Sequence, residues 1–135
     1  MDLMDAVHIS AAGMRVQTER LKVVAQNIAN AESVGTRSGQ EPYRRKTIEF
    51  KNVLDRETKL NLVQTKRIST DKSQFNKQYE PNNPNADDQG YVLYPNVSSI
   101  LEMADMREAR RGYEANLNII EASKAMMTQT IGLLK

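Results

Sequence analysis

His8 is the only imidazole in the chain, so any histidine-dependent chemistry would rest on it alone. An imidazole can work as a general base when a nucleophile and an orienting carboxylate converge on it. Here it stands beside Val7 within an apolar-periodic stretch, the position of a helix-flank residue. No nucleophile elbow and no phosphate-cradling glycine loop accompanies it. Asp87 and Asp88 are adjacent, so they do not form a converging acid/base pair. Asn85, Asp87 and Gln89 ahead of Gly90 offer the oxygens of a calcium loop. Placing Gly90 at the sixth position of such a loop puts Asn96 at the twelfth, where a bidentate glutamate is required. This stretch therefore reads as a solvated turn. With no cysteine, disulfides, thiolate metal sites and thiol nucleophiles are excluded. The expectation is a non-enzyme with no catalytic, cofactor-binding or metal-ligating residues.

Two basic clusters remain, Arg44-Arg45-Lys46 and Arg107 with Arg110 and Arg111. A nucleic-acid surface needs unopposed cations interleaved with aromatics. The second cluster is instead flanked by Asp105, Glu108 and Glu114, spaced for pairing along a helix. Across the chain 19 basic residues face 17 acidic ones, a balance that calls for neither nucleic acid nor an anionic membrane.

The elements that carry these residues divide the chain into three. Met4, Val7, Ala11, Met14, Thr18, Leu21, Ala25 and Ile28 recur at spacings of three and four, which predicts a helix over residues 3–31 with one apolar stripe. Asp2 and Asp5 suit its N-terminus, while Asn30, Ser33 and Gly35 supply its stop. Residues 32–98 contain all four prolines and the loop-like runs Asn82–Asn85 and Asp87–Gly90. Within them Lys46–Val53 and Leu60–Ile68 are expected to form a small β-hairpin. Ser99-Ile100-Leu101-Glu102 has the capping-box pattern, and no proline follows. A final helix over 99–135 is expected, on the order of 54 Å long. Met106, Arg110, Tyr113, Leu117, Ile120, Lys124, Met127, Ile131 and Leu134 form its stripe.

The expected fold is mainly α: long N- and C-terminal helices (1–31 and 99–135) forming a coiled-coil pair, with a loop-rich insertion (32–98) between them. The packing and assembly residues expected from the stripes are Val7, Met14, Leu21, Ile28, Arg110, Tyr113, Leu117, Ile120, Met127, Ile131 and Leu134. Asn27 and Asn30 are expected to satisfy backbone groups at the end of the first helix. Arg110 falls on the seam, where its aliphatic stem can cover apolar surface while its guanidinium reaches a carboxylate. Two helices alone cannot close a sizeable core. Large apolar stripes at both ends of so small a chain therefore suit a part built to assemble. The N-terminus, Met1-Asp2-Leu3-Met4-Asp5, is acidic where a secretory signal needs positive charge. No apolar stretch is long enough to span a membrane.

Val24-Ala25-Gln26-Asn27-Ile28-Ala29-Asn30-Ala31 resembles the N-terminal signature of flagellar rod and hook proteins. Gly90-Tyr91-Val92-Leu93-Tyr94-Pro95-Asn96-Val97, Glu102-Met103-Ala104-Asp105-Met106 and Arg111-Gly112-Tyr113-Glu114-Ala115-Asn116 resemble segments of proximal-rod members of that family. Lys124-Ala125-Met126-Met127 continues the match, whereas Val34-Gly35-Thr36-Arg37-Ser38-Gly39 departs from it. The resemblance implies a structural subunit of the proximal rod of the bacterial flagellar basal body, lying within the periplasm. It implies export without a cleaved signal through the flagellar type III apparatus. It also implies that other axial and rod proteins and copies of the same chain are the partners. The competing expectation is a soluble coiled-coil adaptor or export chaperone, which would form a closed dimer.

Overall fold

A computed structural model describes residues 2–36 and 40–133. Two helices dominate, α1 (Leu3–Ala29) and α2 (Ser99–Leu133), and four strands lie between them. β1 (Lys46–Leu54) pairs with β2 (Asn61–Thr70), and β3 (Asn76–Tyr79) pairs antiparallel with β4 (Tyr91–Tyr94). The chain divides into two compact units. One comprises Met1–Leu21, Ile48–Arg67 and Arg107–Lys135; the other comprises Lys22–Thr47 and Ile68–Met106.

In the first unit, helix α1 begins where the sequence places its cap. Asp2 Oδ1 accepts from Leu3 N at 2.6 Å, and Asp5 Oδ2 reaches back to Asp2 N at 2.8 Å. Two orphan donors of the first turn are thus satisfied by carboxylates, which also suit the positive end of the helix dipole. The two helices run antiparallel through contacts that step together: Gly13 lies against Asn116, Gln17 against Gly112, and Arg20 pairs with Glu108 at 3.6 Å. The buried residues of this unit are small: Ser10, Ala12, Val16, Ala109 and Ser123. Asp55 turns the β1–β2 connection. Its Oδ1 accepts from the backbone of Glu57 and Thr58, its N donates to Leu60 O at 2.8 Å, and Lys59 takes a left-handed φ of 57°. Glu49 holds Arg67 and Lys66 across the strands, and those cations keep its carboxyl below the usual range. Thr65 donates to Glu19, tying β2 to α1.

In the second unit the core is Val23, Val24, Val92, Pro95 and Val97, with Asn27 and Glu102 buried among them. β3 and β4 pair Asn76 with Tyr94 and Tyr79 with Tyr91, and the last two rings meet edge to face at 5.3 Å. The turn between them is ordered by Asp87, whose Oδ1 accepts from Gln89 N and Tyr91 N, both at 2.9 Å. That carboxylate is occupied in shaping the loop. Gly90 sits at φ +83°, with Tyr79 and Pro81 filling the space where a Cβ would stand.

The α2 start differs from the capping-box expectation. Glu102 N bonds to Ser98 O at 3.0 Å, so Ser98 is the cap residue. Glu102 then lies one position past the box, and its carboxylate is engaged elsewhere. The β3–β4 pair was not expected either, because all four β3 residues are exposed and leave no apolar alternation to detect.

Candidate assembly surfaces and a buried polar node

The segment that carries the N-terminal signature ends in a polar node inside the second unit. Asn27 is 1% exposed and uses its full hydrogen-bonding capacity. Its Oδ1 accepts from Lys46 N at 2.8 Å and from the Tyr43 hydroxyl at 2.9 Å. Its Nδ2 donates to Lys46 O at 2.9 Å and to Glu102 Oε2 at 3.1 Å. One side chain at the end of α1 thus mimics a strand partner for β1 and grips the first turn of α2.

Glu102, also 1% exposed, receives Arg45 Nε on its other oxygen. A buried carboxylate is tolerated only when paired and hydrogen-bonded, and here an arginine and an amide do both. Arg45 is further fixed through its backbone. Its N donates to Asn96 Oδ1 at 2.8 Å and its O accepts from Asp71 N at 2.8 Å. Asn96 Nδ2 donates to Asp71 O and to Ser73 Oγ at 2.8 Å. Arg44 covers the Phe75 ring at 4.2 Å and reaches the carbonyls of Asp71 and Ser73. The Ser73 backbone N–H, then its hydroxyl, with Arg45 and Arg44 beyond, hold the Asp71 carboxyl below the usual range. Burial first, and then the Glu102 carboxylate, push the Tyr43 phenol up.

Asn30 lies at the helix end, with its Nδ2 donating to Gln26 O at 2.8 Å. Asn27, expected to do the same, instead serves β1 and α2. Val7, Met14, Leu21 and Ile28 are half-buried on α1, beside the small buried stripe of Ala12 and Val16 rather than on it. On α2, Tyr113, Ile120 and Met127 are half-buried along a seam completed by Ala109, Asn116 and Ser123. Arg110, Leu117 and Ile131 lie outside that seam and are exposed. Arg110 pairs with Glu114 of its own helix at 3.8 Å. Leu134 falls outside the described residues. His8 is exposed beside Arg15, Glu19, Asp55 and Leu62, a polar groove on the first unit. Among the described residues no cluster of His, Cys, Asp or Glu could hold a metal ion.

The arrangement inverts the usual distribution of apolar size. Among the described residues the buried hydrophobic side chains are all alanine or valine. Many large ones stand outside: Ile100 is 80% exposed, Leu101 68%, Ile131 60% and Leu133 88%, with Ile119 and Met126 also exposed. Large apolar side chains left exposed on each unit are candidates for covering by other proteins.

A family model described as "Flagellar basal body rod FlgEFG protein C-terminal" matches residues 88–133, which includes β4, Asn96, Glu102 and the whole of α2. That match points to the class of flagellar basal-body rod proteins, and full-length relatives bear it out. The chain is 45% identical over 130 residues to the flagellar basal-body rod protein FlgC of Agrobacterium fabrum, covering 96% of this chain and 94% of that one. It is 38% identical to FlgC of Aquifex aeolicus, with 96% of each chain covered, and 35% identical to FlgC of Salmonella typhimurium, with 98% of each covered. The chain belongs to the flagellar basal-body rod protein FlgC family.

Proposed function

We propose that this chain is a structural, non-enzymatic subunit of the flagellar basal-body rod. In this reading it sits in the proximal rod within the periplasm and transmits torque as part of the drive shaft. The terminal segments, 1–31 and 99–135, pair as a coiled coil and assemble with other axial proteins and with copies of this chain. Residues 32–98 form the insertion that decorates the pair. Assembly uses the stripe residues set out above, Leu117 and Ile131 foremost. Export proceeds through the flagellar type III apparatus without signal cleavage. Among the described residues no helix is long and apolar enough to cross a membrane.

The observation that carries this reading is the inversion of apolar size. The fully buried hydrophobic residues are alanine and valine, while isoleucine, leucine and methionine side chains such as Ile100, Leu101, Met126 and Ile131 stand exposed. Burying such side chains stabilises by about 1.5–3 kcal/mol each, a gain that the single chain leaves unused and neighbours can supply. Contacts between unlike faces repeat without closing, and so build a helical stack. The test is electron microscopy of cell envelopes from a deletion strain with the gene restored in parallel. Missing rods and hooks that return on restoration support the reading, and complete basal bodies in the deletion strain overturn it.

A further inference from the structure

Within the first unit, two glycines and two side-chain amides interlock. A Cβ on Gly13 would lie 2.8 Å from Asn116 Nδ2, and one on Gly112 would lie 3.0 Å from Gln17 Nε2. Each amide is thus seated on the bare backbone of the opposite helix. Asn116 is itself held in place, because its Nδ2 donates to Gly112 O at 2.8 Å. Gly112 therefore serves both halves: its carbonyl aims Asn116 at Gly13, and its missing side chain admits Gln17. Gln17 Oε1 is buried without a hydrogen-bond partner among the described residues.

A leucine at position 17 or 116 would bury more apolar area and leave no polar atom unsatisfied. Amides at these seam positions are therefore poor stabilisers. Polar residues in a helix seam are the best-attested means of fixing register at a cost in stability. The fully buried part of the seam needs such a device, since Ser10, Ala12, Val16, Ala109 and Ser123 are small and offer few knobs to resist sliding, and the larger Tyr113, Ile120 and Met127 are only half-buried.

We propose that Gln17 and Asn116, seated on Gly112 and Gly13, form a reciprocal lock that sets the axial register of α1 against α2. This rests on the proposed pairing of the terminal helices. The lock decides which outer residues line up along the pair, and so which faces are offered to neighbours. A slip of one helical turn moves one stripe about 5 Å past the other, and a slip of one heptad moves it about 10 Å.

The chain has no cysteine, so spin labels at Thr18→Cys and Glu121→Cys, both exposed positions in the first unit, report the register by dipolar spectroscopy on the full chain. The parent should give a single narrow distance. Gln17→Leu with Asn116→Leu should add a second population displaced by about 5–10 Å, while its urea midpoint is equal to or above the parent's. Gly112→Ala raises helix propensity yet evicts Gln17, and should shift the distance while increasing helicity. A single unshifted distance in both variants overturns the lock and leaves helix pairing intact. A parent with no defined distance overturns the pairing and the lock together.

Discussion

Asn27 at the end of α1 donates to Glu102 at the start of α2 at 3.1 Å, across 75 residues of sequence, and the same amide closes a two-way backbone pair with Lys46. This explains in physical terms why the N-terminal signature includes an asparagine. Only a primary amide offers two donors and two acceptors in one plane, and here all four are used.

Asn27→Ala should leave the Tyr43 hydroxyl, the Lys46 backbone groups and one Glu102 oxygen short of partners. The expected loss is about 2–3 kcal/mol, since each buried unsatisfied group costs roughly 1–3 kcal/mol and some regain water. Asn27→Asp should be worse at neutral pH, because it sets a second carboxylate against Glu102. Urea unfolding followed by circular dichroism ranks the three chains. An Asn27→Asp variant as stable as the parent would contradict the node.

The pH dependence of stability follows from Tyr94 and Tyr43 on the alkaline side and from Asp71, together with Glu49, on the acid side. Tyr94 is raised first by its hydrogen bond to Glu80, then by burial, and Tyr43 is raised first by burial. The folded chain thus holds these protons more tightly than the unfolded one. Their contribution is full below the ordinary value of 10.0 and is lost as pH rises through the higher folded values. Asp71 is the reverse: its contribution is present above the ordinary 3.8 and is lost as pH falls through the lower folded value. Urea midpoints measured across pH should therefore decline at both extremes. Tyr94→Phe with Tyr43→Phe should flatten the alkaline limb, and Asp71→Asn the acid limb. An alkaline limb that persists unchanged in the double phenylalanine variant would refute the assignment.

Gly90→Ala should destabilise by about 1–2 kcal/mol, the cost of a left-handed conformation for a residue with a Cβ. The added methyl also meets the Tyr79 ring at 3.0 Å. Gly132→Ala, with open space around it, should be neutral or mildly stabilising. Thermal melts of the two variants side by side check this, and equal shifts would contradict it.

Much of the fold was legible because its cues are local. The expected hairpin over Lys46–Val53 and Leu60–Ile68 is observed as Lys46–Leu54 and Asn61–Thr70, and α1 ends two residues before the expected position 31. The β3 strand, Asn76-Lys77-Gln78-Tyr79, carries no hydropathy signal, since its partner strand supplies the buried valine. The intrachain seam was harder. Large apolar residues dominate any periodicity reading, but here several of them, Leu117 and Ile131 among them, lie outside the α2 seam and the rest are only half-buried. The contact itself uses Gly13, Ala12, Gly112 and Asn116, residues to which hydropathy gives little weight. The node was half legible: Asn27 stood out by its motif, whereas its partners Tyr43, Lys46 and Glu102 stand in separate segments that no single sequence pattern joins. Glu102 was misdirected by the capping box, whose serine is one position late.

The central claim is that the outward apolar residues of α2 exist to be covered by neighbours. Leu117→Asp with Ile131→Asp changes side chains that are exposed on the single chain, so monomer helicity should match the parent's by circular dichroism. Asp88→Ala, at an exposed turn position, serves as the silent control. The decisive measurement is electron microscopy of basal bodies from strains carrying each variant at normal expression. The double aspartate variant should build no rods, and the control should build normal ones. Complete, motile flagella built with the double aspartate variant would contradict it.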